Sequence, residues 1–96
     1  QPTYHALAQN LIQQGRQGEA QELLAGWVDT QPYVTESHIE MAWMHRETGN
    51  PVAAEQELRQ ALRIEPNNPM ALGQLGQLMQ ETGRSDQASA YYQRSL

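Results

Sequence analysis

The chain has 96 residues, enough for one domain, and its eleven acidic and six basic residues leave a net charge of −5. That balance excludes a nucleic-acid binder: there is no Lys, and Arg16, Arg46, Arg59, Arg63, Arg84 and Arg94 are spread along the chain with no basic patch. With no Cys there is neither a disulfide frame nor a thiolate metal site, and cytoplasm and periplasm both stay open.

The apolar spacing is helical throughout, and it recurs every 34 residues. In the first unit Tyr4, Leu7, Ala8 and Leu11 form one stripe, predicting a helix over about 3–14. Gly15 follows, where a helix end favours a left-handed residue. Ala20, Leu23, Leu24, Trp27 and Val28 form a second stripe over about 17–30, and Pro32 stops it. The second unit repeats the plan. Thr35 is the expected cap of a helix over about 36–48 that carries Met41 and Ala42, and Gly49 closes it. Asn50-Pro51 then reads as cap and first helical position of a helix over about 51–64, with Ala54, Leu58, Ala61 and Leu62 inward and Pro66 beyond. Asn68-Pro69 opens the third unit in the same way. Leu72, Leu75, Gly76 and Met79 lie on a helix over about 69–82, Gly83 follows, and Ala88, Tyr92 and Leu96 lie on a last helix over about 85–96. The short connections make neighbouring helices antiparallel. Ala8, Ala42 and Gly76 face Ala20, Ala54 and Ala88, so the two helices of a unit can approach closely. A large residue in either column would cost ~1–3 kcal/mol.

Little in the chain points to chemistry. His38 and His45 are seven residues apart, whereas a helical zinc pair is four apart with a third ligand nearby. Both sit in core-facing columns, which predicts packed rings hydrogen-bonded to backbone or to an acid. The G-x-x-G strings Gly15–Gly18 and Gly73–Gly76 lack basic surroundings, and no phosphate-binding loop or nucleophile elbow occurs. The expectation is a non-catalytic chain with no metal and no cofactor. No apolar run reaches the length of a membrane span and no signal peptide is visible, so no membrane insertion is expected. Gln1 in place of Met reads as a processed chain or a piece of a longer protein.

The recurring columns resemble the tetratricopeptide repeat. The matches are Tyr4, Leu7, Ala8, Leu11, Gly15, Ala20, Leu24, Val28 and Pro32, then Met41, Ala42, Gly49, Asn50, Ala54, Leu58, Ala61, Leu62 and Pro66. They end with Leu72, Leu75, Gly76, Met79, Gly83, Ala88, Tyr92 and Leu96, so the likeness covers the whole chain. It implies an all-α fold: a right-handed superhelical stack of three antiparallel helix-turn-helix repeats. The repeats would be 1–34, 35–68 and a truncated 69–96 within a single domain, 1–96.

The resemblance also implies that the first helix of each repeat lines a concave groove for an extended or helical peptide. Column by column the groove would hold Pro2, Glu36 and Met70; His5, Ile39 and Gly73; Gln9, Trp43 and Gln77; Ile12, Arg46 and Gln80; and Gln13, Glu47 and Glu81. Trp43 stands where the other repeats have Gln, and Arg46 lies on the same helical face, a pairing enriched at interface hot spots. The plainer alternative is that Trp43 rests on its neighbours and Arg46 pairs with Glu47 or Glu81. The clamp of Lys, Asn and Arg that some members use for a C-terminal carboxylate is absent, since its places carry His5, Gln9, Ile39, Trp43, Gly73 and Gln77. An acidic chaperone tail is therefore not an expected ligand.

Two departures stand out. Trp27 occupies a place where the family prefers Ala. The third unit stops before its proline with no polar capping helix after it, which predicts a sticky outer face at Ala88, Tyr92 and Leu96. The function expected is a protein-interaction scaffold whose partner is a protein or peptide. The alternatives are a self-assembly module that makes homo-oligomers through the C-terminal helix, or an accessory domain of a larger enzyme or export complex. The Gln-rich, Lys-free composition resembles soluble repeat segments of large bacterial proteins.

Overall fold

A computed structural model describes residues 3–94 and places six helices in them. They are α1 (Tyr4–Gln13), α2 (Gln17–Thr30), α3 (Thr35–Glu47), α4 (Pro51–Ile64), α5 (Pro69–Glu81) and α6 (Ser85–Arg94). Each of the six predicted helices is present: α2 and α4 have the predicted bounds, α1 and α3 differ by one residue at each end, α5 differs by one at its C-terminal end, and the predicted end of the last helix lies outside the described residues. Helices α1 and α2, α3 and α4, and α5 and α6 pair as hairpins, and the α2–α3 and α4–α5 contacts stack one hairpin on the next. The stack is longer than it is wide, 37 × 26 × 21 Å.

One turn design serves all three hairpins. The N–H of Asn50 reaches the carbonyl of His45 at 2.8 Å and that of Gly49 reaches Arg46 at 3.1 Å, the 6→1 and 5→2 bonds of a Schellman motif. Arg16 to Leu11 with Gly15 to Ile12, and Arg84 to Met79 with Gly83 to Gln80, repeat it. The motif needs a left-handed residue, and Gly49 supplies it at φ 77°. Helix starts follow the sequence at two of three expected caps. Asn50 Oδ1 accepts from the Ala53 N–H, and Asn68 Oδ1 from the Ala71 N–H. Thr35 departs from expectation: it is already helical, and its hydroxyl is drawn across to donate to Glu65 at 2.6 Å. Val34 is the cap residue there, without a side-chain bond.

The core has two parts, one at each hairpin junction. Ala8, Ala20, Leu24, Met41 and Met44 fill the first, with Leu11, Trp27, Val28 and Trp43 packed against them. Ala42, Ala54, Leu58, Ala61, Leu75, Leu78, Met79 and Ala88 belong to the second. Met44 and Leu78 are fully buried because the preceding hairpin lies over them. Their counterpart in the first repeat is the exposed Asn10. The same asymmetry leaves Tyr4 and Leu7 39% exposed, while Met41 and Leu75 are buried.

The sticky C-terminal face is corrected in part. Ala88 is buried between α5 and α6, and Tyr92 is half-buried, its ring carbons 3.1 Å from where a side chain on Gly76 would begin. The Tyr92 hydroxyl also donates to Gln80. Leu96 lies outside the described residues. Among the described residues the opposite end exposes Tyr4 and Leu7, each 39% accessible.

Candidate partner-binding groove

Helices α1, α3 and α5 contribute the predicted groove residues. Gln9, Glu36, Glu47, Met70, Gln77, Gln80 and Glu81 are exposed, as a binding surface requires. Ile39 is not: at 2% exposure it belongs to the second core cluster, where its branched side chain fills the junction. Ile12 is half-buried against the first cluster. Pro2 lies outside the described residues.

Trp43 is half-buried and held from both sides. Its inner edge packs on the first core cluster. The His5 ring lies tilted against it, centroids 4.6 Å apart, and His5 Nδ1 meets Glu40 Oε2 at 2.6 Å. An indole fixed in this way presents its outer face without losing side-chain freedom on binding, the economy that makes rigid aromatic anchors effective. The resting contacts of the plainer reading are therefore present.

Arg46 donates from Nη2 to Glu81 Oε1 at 2.7 Å, joining the second repeat to the third. Its Nε is enclosed without a hydrogen-bond partner. The His5–Glu40 and Arg46–Glu81 pairs have the same sequence separation, 35 residues, so each ties one repeat to the next. The same offset takes Ile12 to Glu47, and Ile12 has no charge to offer. Glu47 consequently makes no ion pair among the described residues. Arg46, Glu47, Leu78, Glu81 and Thr82 line a cavity of about 380 Å³ beside the Gly49 turn. Two carboxylates, one guanidinium and the C-terminal ends of α3 and α5 give this end of the groove a net negative potential. It can accept hydrogen bonds from a cationic or amide group.

His38, expected to pack, does so with both nitrogens engaged. Pro32 O, which can only accept, receives a hydrogen bond from Nε2 at 2.7 Å, and Nδ1 meets Glu57 Oε2 at 3.0 Å. Trp27 stacks on Tyr4 with centroids 4.2 Å apart and donates its indole N–H to Gln31. The large residue in an Ala column thus packs on the first core cluster and on Tyr4 of α1. Glu40 and Glu57, the partners of the two histidines, were not anticipated. Their distance along the chain hides them, although the inter-repeat offset of 35 residues would have pointed to Glu40.

The arginines correct a second expectation. Dispersed in sequence, Arg59, Arg63 and Arg94 line one cavity with Leu62 and Tyr91, because α4 and α6 lie side by side on the outer face. Arg84 and Arg59 both bond Glu55. The Arg84 hydrogen bond, more than that of Arg59, holds the Glu55 carboxyl below the usual carboxylate range against the opposing effect of burial. Among the described residues no helix is long and apolar enough to cross a membrane, and no three metal-ligating side chains converge.

Stacked antiparallel hairpins with a shared groove define a helical-repeat protein. A tetratricopeptide-repeat family profile matches residues 45–96, and a second profile of that family matches residues 1–25. The chain belongs to the tetratricopeptide repeat family. Comparison with curated proteins gives no match. Among solved structures, MamA is similar over 97% of this chain at TM-score 0.81 and 16% identity. The type III secretion translocator chaperone SycD of Yersinia enterocolitica is similar over 96% at TM-score 0.84 and 13% identity. A further SycD structure, in complex with a peptide of the translocator YopD, is similar over 96% at TM-score 0.82 and 13% identity. The chain spans 51% of the MamA chain and 69% of the SycD chain. At these identities the likeness is one of fold.

Proposed function

We propose that the chain is a non-catalytic scaffold that binds a segment of a partner protein along the groove of α1, α3 and α5. The observation that carries this reading is Trp43, a half-buried indole fixed by His5 and the first core cluster, one helical turn from Arg46. Family membership supports it, and so does the SycD fold, which takes a YopD peptide in that protein. The groove surface is chiefly amide and carboxylate with one aromatic anchor. Such a surface suits an extended or helical segment that inserts one apolar residue and places donors on either side. Self-assembly through α6 has less support, because Ala88 is buried and Tyr92 is spent on Gly76.

Peptides selected from a random library on the wild-type chain test the reading. Trp43→Ala is expected to weaken their binding by at least about tenfold, the lower range for an aromatic hot spot. Arg63→Gln, on the outer face, is expected to leave it unchanged. Equal binding by wild type and Trp43→Ala for every selected peptide would overturn the proposal.

A further inference from the structure

The outer face formed by α4 and α6 is charged in the opposite sense to the rest of the chain. Four of the six arginines, Arg59, Arg63, Arg84 and Arg94, meet there in a molecule of net charge −5. Glu55 is the one carboxylate bonded to them, and it is shared between Arg59 and Arg84. Asp86, in the first turn of α6, forms no ion pair among the described residues. Arg63 makes no hydrogen bond or ion pair among the described residues. Arg94 donates to the Pro66 carbonyl at 2.8 Å, which orients the guanidinium without neutralising it, and lies over the Tyr91 ring at 5.7 Å. Among the described residues Arg63 and Arg94 have no bonded acid, and they lie beside a cavity of about 320 Å³ walled by Tyr91 and Leu62. Like charges gathered on one face repel; among the described residues Glu55 is the acid bonded to them, and the C-terminal ends of α4 and α6, where Arg63 and Arg94 sit, offset part of the charge.

We propose that this cavity is an oxyanion site that takes a phosphate group. A phosphate carries between one and two negative charges at neutral pH, which the guanidiniums of Arg63 and Arg94 can meet, and it offers oxygens to planar N–H forks. Tyr91 keeps Arg94 in place from one side and Pro66 from the other, so one arm of the site is formed before any anion arrives. The site lies on the outer face, and it stands or falls separately from the groove.

The test is a titration of the isotope-labelled chain with inorganic phosphate at constant ionic strength, following the arginine side-chain Nε–H signals. Saturable shifts at Arg63 and Arg94 are expected, with none from sodium chloride at matched ionic strength. Arg63→Gln should weaken phosphate binding about tenfold, the factor one charge-assisted hydrogen bond carries. Arg63 is exposed and unbonded, so the variant should fold, and circular dichroism verifies this. A second arm uses a phosphoserine dipeptide. Tighter binding than inorganic phosphate identifies a phosphorylated side chain as the source, and equal or weaker binding identifies the free ion. Linear, unsaturable shifts, or saturable binding that Arg63→Gln leaves unchanged, would overturn the proposal.

Discussion

Leu75→Ala is expected to destabilise the chain by about 2–5 kcal/mol, a large share of the ~5–15 kcal/mol typical of a whole domain. Leu75 is fully buried in the cluster that joins the second and third hairpins, among Ala42, Leu58 and Met79. Truncation removes apolar burial and leaves a cavity that rigid helices only partly close. Leu7 occupies the same column in the first repeat but is 39% exposed, with no hairpin over it among the described residues. Leu7→Ala should therefore cost well under half as much. Urea denaturation of the two variants checks the contrast. Equal losses would contradict the stacking order, in which a column acquires its energetic weight from the repeat that covers it.

The second large effect concerns the α5–α6 pair. Gly76→Val is expected to cost about 1–3 kcal/mol despite removing a glycine from a helix interior. A side-chain carbon there would meet two Tyr92 ring carbons at 3.1 Å and the Ala88 carbonyl at 3.3 Å. The repeats show why the position is glycine. Where the column holds Ala8 or Ala42, the α2 or α4 residue in the Tyr92 column is Leu24 or Leu58. In the third repeat the larger ring is matched by the smaller partner. Tyr92→Leu combined with Gly76→Val should thus recover part of the loss, giving a coupling above about 0.5 kcal/mol in a double-mutant cycle. Strict additivity would show that the two residues do not meet.

The scaffold was legible in the sequence because its requirements are local. A left-handed glycine, an asparagine cap with proline after it, and small residues facing small ones are each written within one repeat and then written again. Thr35 was misplaced because a distant acid, Glu65, claims its hydroxyl. Ile39 was assigned to the groove by column, yet the column has no fixed environment: its members are His5, Ile39 and Gly73, and the branched one turns to the core. The arginine cluster on α4 and α6 was invisible for the same reason that the groove pairs were partly visible. Arg46–Glu81 was among the pairings the columns allowed, whereas Arg59, Arg63 and Arg94 share no column and meet only at a cavity between α4 and α6. Where columns agree they describe the stack, and where they differ, as at Trp43 among Gln9 and Gln77, the particular chemistry of this chain begins.

The central claim is that the partner lies in the groove against Trp43. It is tested most directly by amide and indole chemical-shift mapping with a library-selected peptide that carries no acidic group. The account predicts shifts at the Trp43 indole, Arg46, Glu47, Gln77 and Glu81, with α2, α4 and α6 silent on their outer faces. Shifts confined to those outer faces, with the Trp43 indole unmoved at saturation, would contradict it.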